Sequence, residues 1–234
     1  MNLDRKHLRW LALMLSALLL GCGPKQVVVQ GEFPVPVVEP LPLTLGVVYT
    51  EAFSSHEIFD ENSGRSESDW LVKTGEAQTA FWDILLGGMF ERVVPITDHE
   101  SFHSHLSTMD AVLIPYVEDL QYSVPLHTNV KVFEIWMRYR FRLVTPDAIH
   151  DHDGNGLSYN PTEHIADWQL SAYGKTPSKF LQSDEEAVNA AAVVALRDAG
   201  ANFVTSFERI TAINDWLKNR ELPTPQNDTG AVGK

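Results

Sequence analysis

Between Val130 and Val144, Phe133, Ile135, Met137, Tyr139, Phe141 and Leu143 alternate with Glu134, Trp136, Arg138, Arg140 and Arg142. A period of two sustained this long predicts a strand with one face on a core and the other in water. Ile165–Lys175 repeats the alternation more weakly and predicts the antiparallel partner, with Trp168, Leu170 and Ala172 inward. The apolar, β-branched segments Leu43–Thr50, Val93–Ile96 and Asp110–Val117 predict three more strands. Between the first two of these, residues 54–69 are polar and predict a loop or a strand with a mobile tip.

Two segments change period. Ala77, Phe81, Ile84, Leu85, Gly88 and Met89 recur at helical spacing and predict a helix over Gly75–Arg92. Gly87-Gly88 weakens its second half, so such a helix needs something packed closely there. Val188, Ala192, Leu196, Ala199, Phe203, Phe207, Ile210, Ile213 and Leu217 predict one long closing helix. Ser183 with Glu186 three residues on is a capping-box start, and Ala191, Ala192, Ala195 and Ala199 keep its first half slim enough to lie close to a sheet. The element order is then β-α-β-β-β-β-α. It predicts an α+β fold, a mainly antiparallel sheet of about five strands with two helices packed on one face.

The N-terminus follows neither period. Arg5, Lys6 and Arg9 precede an apolar run from Trp10 to Leu20, the layout of an export signal. About a dozen apolar residues fall short of the roughly 20 that a membrane-crossing helix needs. Leu19-Leu20-Gly21-Cys22 closes this run and holds the chain's only cysteine. The tetrapeptide resembles the lipobox of bacterial lipoproteins. That resemblance implies cleavage after residue 21, acylation of Cys22 and tethering to a membrane surface, stable because two or more acyl chains are buried. Gly23, where an Asp would imply inner-membrane retention in enteric Gram-negative bacteria, implies an outer-membrane address.

Residues 22–42 carry prolines at 24, 34, 36, 40 and 42 and predict an extended spacer reaching up to about 60 Å from the lipid. The alternative there is that Val27–Val29 or Val35–Val38 pairs as an edge strand. Residues 43–221 then form a single domain, and 222–234, rich in Pro, Gly, Asn and Thr, a disordered tail.

Charge narrows the function classes. The chain carries a formal −13, and loss of the basic leader makes the mature form more acidic still. General nucleic-acid binding, which needs cations against phosphates, is disfavoured. With one cysteine no intrachain disulfide forms, so stability comes from packing.

Four groups of residues are candidates for chemistry. Arg138, Arg140 and Arg142 fall on one strand face about 7 Å apart, as a contact for an anion or a partner. Cross-strand pairing with Glu118, Asp119 or Asp167 is the structural alternative. Asp151, Asp153 and Asn155 open like a calcium loop with Gly156 at the turn, but Thr162 stands where the closing Glu belongs, and the same residues suit a hairpin loop. His99 and His103 would share a helix face at the spacing of a zinc pair. No nucleophile elbow and no phosphate-cradling glycine loop occurs, so the expectation is a protein that is not an enzyme and has no cofactor.

Lipobox, Pro-rich segment, the strand at Leu43–Thr50, the helix near Gly75–Arg92, the meander to Lys175 and the Ala-rich closing helix together resemble small Gram-negative envelope lipoproteins of the YajG and TolB N-terminal type. The resemblance implies a binding or adaptor role in envelope assembly, transport or maintenance, with an envelope protein or an anionic envelope polymer as partner. A metal-dependent binding or hydrolytic lipoprotein, using zinc or calcium at the histidines or the 151–156 loop, is the alternative.

Overall fold

The computed structural model describes residues 24–60, 69–123, 132–151, 157–159, 163–177 and 183–221. Its main sheet has five strands in the order β10-β7-β6-β2-β5. They are β2 (Leu41–Val47), β5 (Phe90–Pro95), β6 (Ala111–Ser123), β7 (Val132–Val144) and β10 (Ala166–Pro177). The fold is α+β, but the sheet is mixed. β6–β7 and β7–β10 run antiparallel, whereas β2 runs parallel to both β5 and β6. Apolar alternation carries no strand direction. The reversal comes from the helical crossover that must link parallel neighbours.

That crossover contains more than one helix. Glu51–Ser54 forms a short helix, α1, and residues 57–60 and 70–73 form strands β3 and β4 of a second sheet, ordered β1-β4-β3. The third member, β1, is Lys25–Val28, running parallel to β4 with Val27 opposite Val72. Within residues 22–42 the edge-strand alternative holds around Val27, because Lys25–Val28 is paired in this sheet where a free spacer was expected. Val27 and Val29 are buried, with Trp70 and Val72 beside them in the same core, and burial of those side chains outweighs the freedom of a tether. Lys25 Nζ lies 4.9 Å over the Trp70 ring.

The prolines act further along. Residues 31–40 form no strand, and they cross the helical layer as a strap. Arg197 donates to the Glu32 carbonyl at 2.7 Å, and Phe33 meets Phe81 edge-on at 5.0 Å. Gly88 accepts Pro36 so closely that an added Cβ would stand 2.6 Å from its ring. This is the close packing that the Gly87-Gly88 pair called for.

The central helix, α2 (Gly75–Met89), stops three residues before Arg92. Phe90 turns extended and buries its ring against Phe207, so β5 starts without a loop. A short helix, α3 (His99–His105), follows β5, capped by Asp98 in a reciprocal box with Ser101. Phe102, Met109, Val112, Ile114, Val144 and Ile149 form a second apolar cluster. Val112 and Ile114 alternate with the inward Ala111 and Leu113, so this cluster lies on the opposite sheet face and α3 with it. Helices therefore occupy both faces, in place of two on one.

The long closing helix is also broken. α4 (Asp184–Ser206) begins at Ser183, whose Oγ accepts the Glu186 N–H at 3.2 Å. A 3₁₀ turn over Phe207–Arg209 and an extended Ile210 then redirect the chain into α5 (Thr211–Glu221). No Gly or Pro marks the break. Phe207 is held between Phe90 and Trp168, and the redirected helix buries Ile213 and pairs Arg220 with Asp110.

Against β7 and β10, α4 packs at backbone distance. A Cβ on Gly174 would stand 1.9 Å from the Ala191 carbonyl oxygen. Beside this contact Trp82, fully buried, meets Tyr139, Phe141 and Phe203 edge-on at 5.5, 4.9 and 5.1 Å. Buried Gln78 joins this core to α1 by donating to the Phe53 carbonyl and accepting the Tyr139 hydroxyl. Gly174→Ala should cost at least about 2–3 kcal/mol, because the clash is with backbone. Gly87, with nothing within 4 Å of its would-be Cβ, should gain about 0.5–1 kcal/mol on change to Ala. Urea unfolding of the two variants checks both signs.

Candidate functional site

The even-numbered residues of β7 from Glu134 to Arg142 point away from α2 and α4, because their odd-numbered neighbours fill the core. Register then sets what stands beside them. Asp167, Gln169, Ser171, Tyr173 and Lys175 of β10 face Arg142, Arg140, Arg138, Trp136 and Glu134 in turn. On the other side, Tyr116 faces Arg140, and a register shift between Val117 and Asp119 brings Asp119 opposite Arg138 and Gln121 opposite Trp136.

This geometry divides the arginine stripe. Arg140 grips Asp167 with Nε at 2.6 Å and Nη2 at 2.9 Å, and its Nη1 lies 3.3 Å from Glu118. Arg142 donates to the second Asp167 oxygen at 2.8 Å, with its guanidinium 5.5 Å over the Tyr116 ring. Gln169 completes the ladder by donating to Glu118 at 2.6 Å. Partial burial works against the Asp167 charge, but hydrogen bonds and charge from both arginines outweigh it and hold the carboxyl below the usual range. Hydrogen bonding to Asp167, then its charge, pushes Arg140 up. These two cations belong to a cross-strand ladder.

Arg138 does not join it. Its side chain is exposed and forms no ion pair among the described residues. Asp119, opposite, accepts instead from Gln121 at 3.0 Å. Next along β7, Trp136 is 50% exposed with its ring 4.3 Å from Tyr173 and tilted by 39°. The Tyr173 hydroxyl donates to Glu134 at 2.8 Å, and Lys175 lies 3.3 Å from the same Glu134 oxygen. Desolvation, then that carboxylate, pushes the Tyr173 hydroxyl up, so it stays a donor at neutral pH. Between Trp136 and Arg138 lies a shallow depression of about 110 Å³, bordered by Asp119, Gln121 and Ser171. Trp136 and Tyr173 are the members that sequence reasoning missed. An aromatic on the wet face of an alternating strand was the available signal.

The other expected sites fall only in part within the described residues. Cys22 lies outside the described residues. His99 and His103 fall one turn apart on α3, and His103 is exposed beside Phe102. Asp151 closes β8 (Ile149–Asp151), which pairs antiparallel with β9 (Leu157–Tyr159), a hairpin inserted between β7 and β10. Asp153 and Asn155 lie outside the described residues. Among the described residues, no three His, Cys, Asp or Glu side chains converge as for a metal ion.

Two further concavities were not legible in the sequence. One, of about 410 Å³, is bordered by Ser54, Ser55, His56, Lys73, Gly75 and Glu76. His56 Nδ1 lies 2.8 Å from Thr74 Oγ1 there, and burial lowers the imidazole's pKa despite Glu57. The other, about 310 Å³ and mostly apolar, runs between the strap and helices α2 and α4, where Val35, Val37 and Val38 are exposed.

No family model and no curated protein sequence matches this chain. Solved structures similar to it include bacterial lipoproteins. Protein XCC0632 from Xanthomonas campestris, of family DUF330, is 13% identical with a TM-score of 0.43, over 82% of this chain and 98% of the other. A minor lipoprotein from Acinetobacter baumannii is 11% identical with a TM-score of 0.31, over 76% and 96%. Lipoprotein GNA1162 from Neisseria meningitidis is 18% identical with a TM-score of 0.26, over 65% and 96%. None of these likenesses transfers a residue role.

The ladder carries a pH signature. Asp167 is depressed in the folded state, so its stabilisation is present above the ordinary carboxylate pKa near 3.9 and is lost as pH falls through the lower folded value. Asp167→Asn should cost roughly 1–2 kcal/mol at pH 7. Urea unfolding as a function of pH should show the gap to the parent closing below about pH 4.

Proposed function

We propose that this chain is a lipid-anchored envelope lipoprotein, outer-membrane and periplasm-facing, whose folded domain is a non-enzymatic binding or adaptor component. The envelope assignment rests on the Leu19-Leu20-Gly21-Cys22 box behind a basic and apolar leader. Among the described residues, no helix is long and apolar enough to cross a membrane, which agrees with attachment by acyl chains.

One observation carries the binding role. The outer face of β6, β7 and β10 presents an exposed arginine beside a half-exposed tryptophan, while the neighbouring Arg140 and Arg142 are paired with Asp167 and, for Arg140, Glu118 as well. A sheet face covered on one side and solvated on the other is stable without a partner. Arg138 and Trp136 add nothing to the core, so their placement suits contact with an anionic partner or polymer.

The anchor shapes how that face is presented. β1 begins three residues after Cys22, so at about 3.5 Å per residue the first strand starts within roughly 10 Å of the acylated cysteine. The domain is held at the membrane surface, without the reach of a long tether.

Metabolic labelling with a palmitate analogue should mark the parent protein and not Cys22→Ser, which should leave the membrane fraction. A photocrosslinking residue at Ser171, on the outer face, should capture a partner in living cells, and one at Gly87 should not. An unmodified thiol at position 22, or no difference between the two crosslinking positions, would overturn the proposal.

A further inference from the structure

We propose that the depression between Trp136 and Arg138 is a subsite for one anionic sugar residue of an envelope polymer. The apolar face of the sugar ring stacks on the indole, and its carboxylate or phosphate meets the guanidinium. This inference rests on the binding role proposed for the outer sheet face and names the class of ligand.

An exposed tryptophan alone is ordinary on a protein surface. What distinguishes Trp136 is its support. Its ring leans on Tyr173, Tyr173 is tied to Glu134, and Glu134 is flanked by Lys175. A ring held from behind loses little side-chain entropy when a flat ligand covers its other side.

The charge beside it is available. Arg138 stands two residues along β7 on the same face, about 7 Å away. Arg140 and Arg142 share Asp167 as counter-ion, whereas Arg138 has no ion pair among the described residues. Its cross-strand neighbour Asp119 is held by Gln121. That carboxylate disfavours a bulky anion over the whole depression, and with Ser171 and Gln121 it supplies acceptors and donors for ring hydroxyls.

These groups match a saccharide better than other anions. A nucleic acid would bring a phosphate row toward a chain of net charge −13 in which, among the described residues of this face, Arg138 is the cation without an ion pair. An acyl chain needs a long apolar trench, and this shallow depression has Asp119, Gln121, Arg138 and Ser171 on its border beside Trp136 and Met137. At about 110 Å³ it is well below a pocket of roughly 300 Å³ or more that encloses a whole ligand, and suits one ring of an extended polymer lying across the sheet. In a chain this acidic, recognition of an anion must be local and short-ranged.

The test titrates the full-length protein with two anionic sugars from different sources. One is a disaccharide of N-acetylglucosamine and N-acetylmuramic acid, carrying a carboxylate, and the other is a glucosamine disaccharide carrying a phosphate. Chitobiose supplies the ring without the anion, and inorganic phosphate the anion without the ring. At least one anionic sugar should quench tryptophan fluorescence saturably, with chitobiose and phosphate at least tenfold weaker. Trp136→Ala and Arg138→Gln should each weaken it at least tenfold, Arg138→Lys less, and Gly87→Ala not at all. Equal binding of phosphate would reduce the depression to a bare anion site and overturn the inference. Indifference to Trp136→Ala, or no saturable binding of either sugar, would do the same. If the Ser171 crosslinker then captures a polypeptide, the face is a binding surface for protein, and only the sugar assignment falls.

Discussion

The structure turns on the contact of α4 with β10, where the absent side chain of Gly174 lets the strand lie against the Ala191 carbonyl. Closeness of this kind needs small residues on both sides, and the alanines of α4 supply the other half. With helix and sheet so near, Trp82, Phe203 and Phe207 fill the wider space on either side and fix the helix axis over β7 and β10. The helix then reaches round the sheet edge. Asp198 accepts the Tyr173 N–H at 3.0 Å, and Asn202 donates to the Ser171 carbonyl at 3.4 Å. Those two groups would otherwise remain open to pairing with another chain.

The same contact positions the outer face. Ser171 and Tyr173 are locked from the edge by α4, while Ser171 borders the depression and Tyr173 backs the Trp136 ring. Packing on the buried side thus pre-orders the exposed side, which is how a flat sheet face becomes a specific surface. Further along β7, the Asp167 ladder ties the two strands with charge-assisted bonds and gives two of the cations a counter-ion. Among the described residues of this face, Arg138 is then the cation left without an ion pair, at a defined place in an acidic molecule.

The N-terminal segment connects this domain to its anchor by a different principle. β1 joins the smaller sheet through Val27 and Val29, and the strap then crosses both core helices, held by Arg197, Phe81 and Gly88. Proline suits such a path, since it offers no N–H to a ladder and keeps the chain extended. A Pro-rich composition reads equally as a free spacer or as a strap. The difference lies in the apolar groove beneath, built from residues that are distant in sequence, from Phe81 and Leu85 to Val204 and Thr205.

Local pattern alone determined the strand at β7, its inward and outward residues, the inward Trp168, Leu170 and Ala172, the start of α4 at Ser183 and the α+β class. Each of these depends on periodicity or a cap within a few residues. Only the tertiary structure decided the parallel pairing of β2, the pairing of β1, the break at Phe207–Ile210 and the division of the three arginines. Strand direction follows from crossovers, and the break follows from ring packing against distant Phe90 and Trp168. The arginines are alike in the sequence. Asp167 stands opposite Arg142 and within reach of Arg140, while the register shift after Val117 gives Arg138 a neighbour already engaged by Gln121. A charge is neutralised or left available by which strand lies beside it, and that is a property of register rather than of composition.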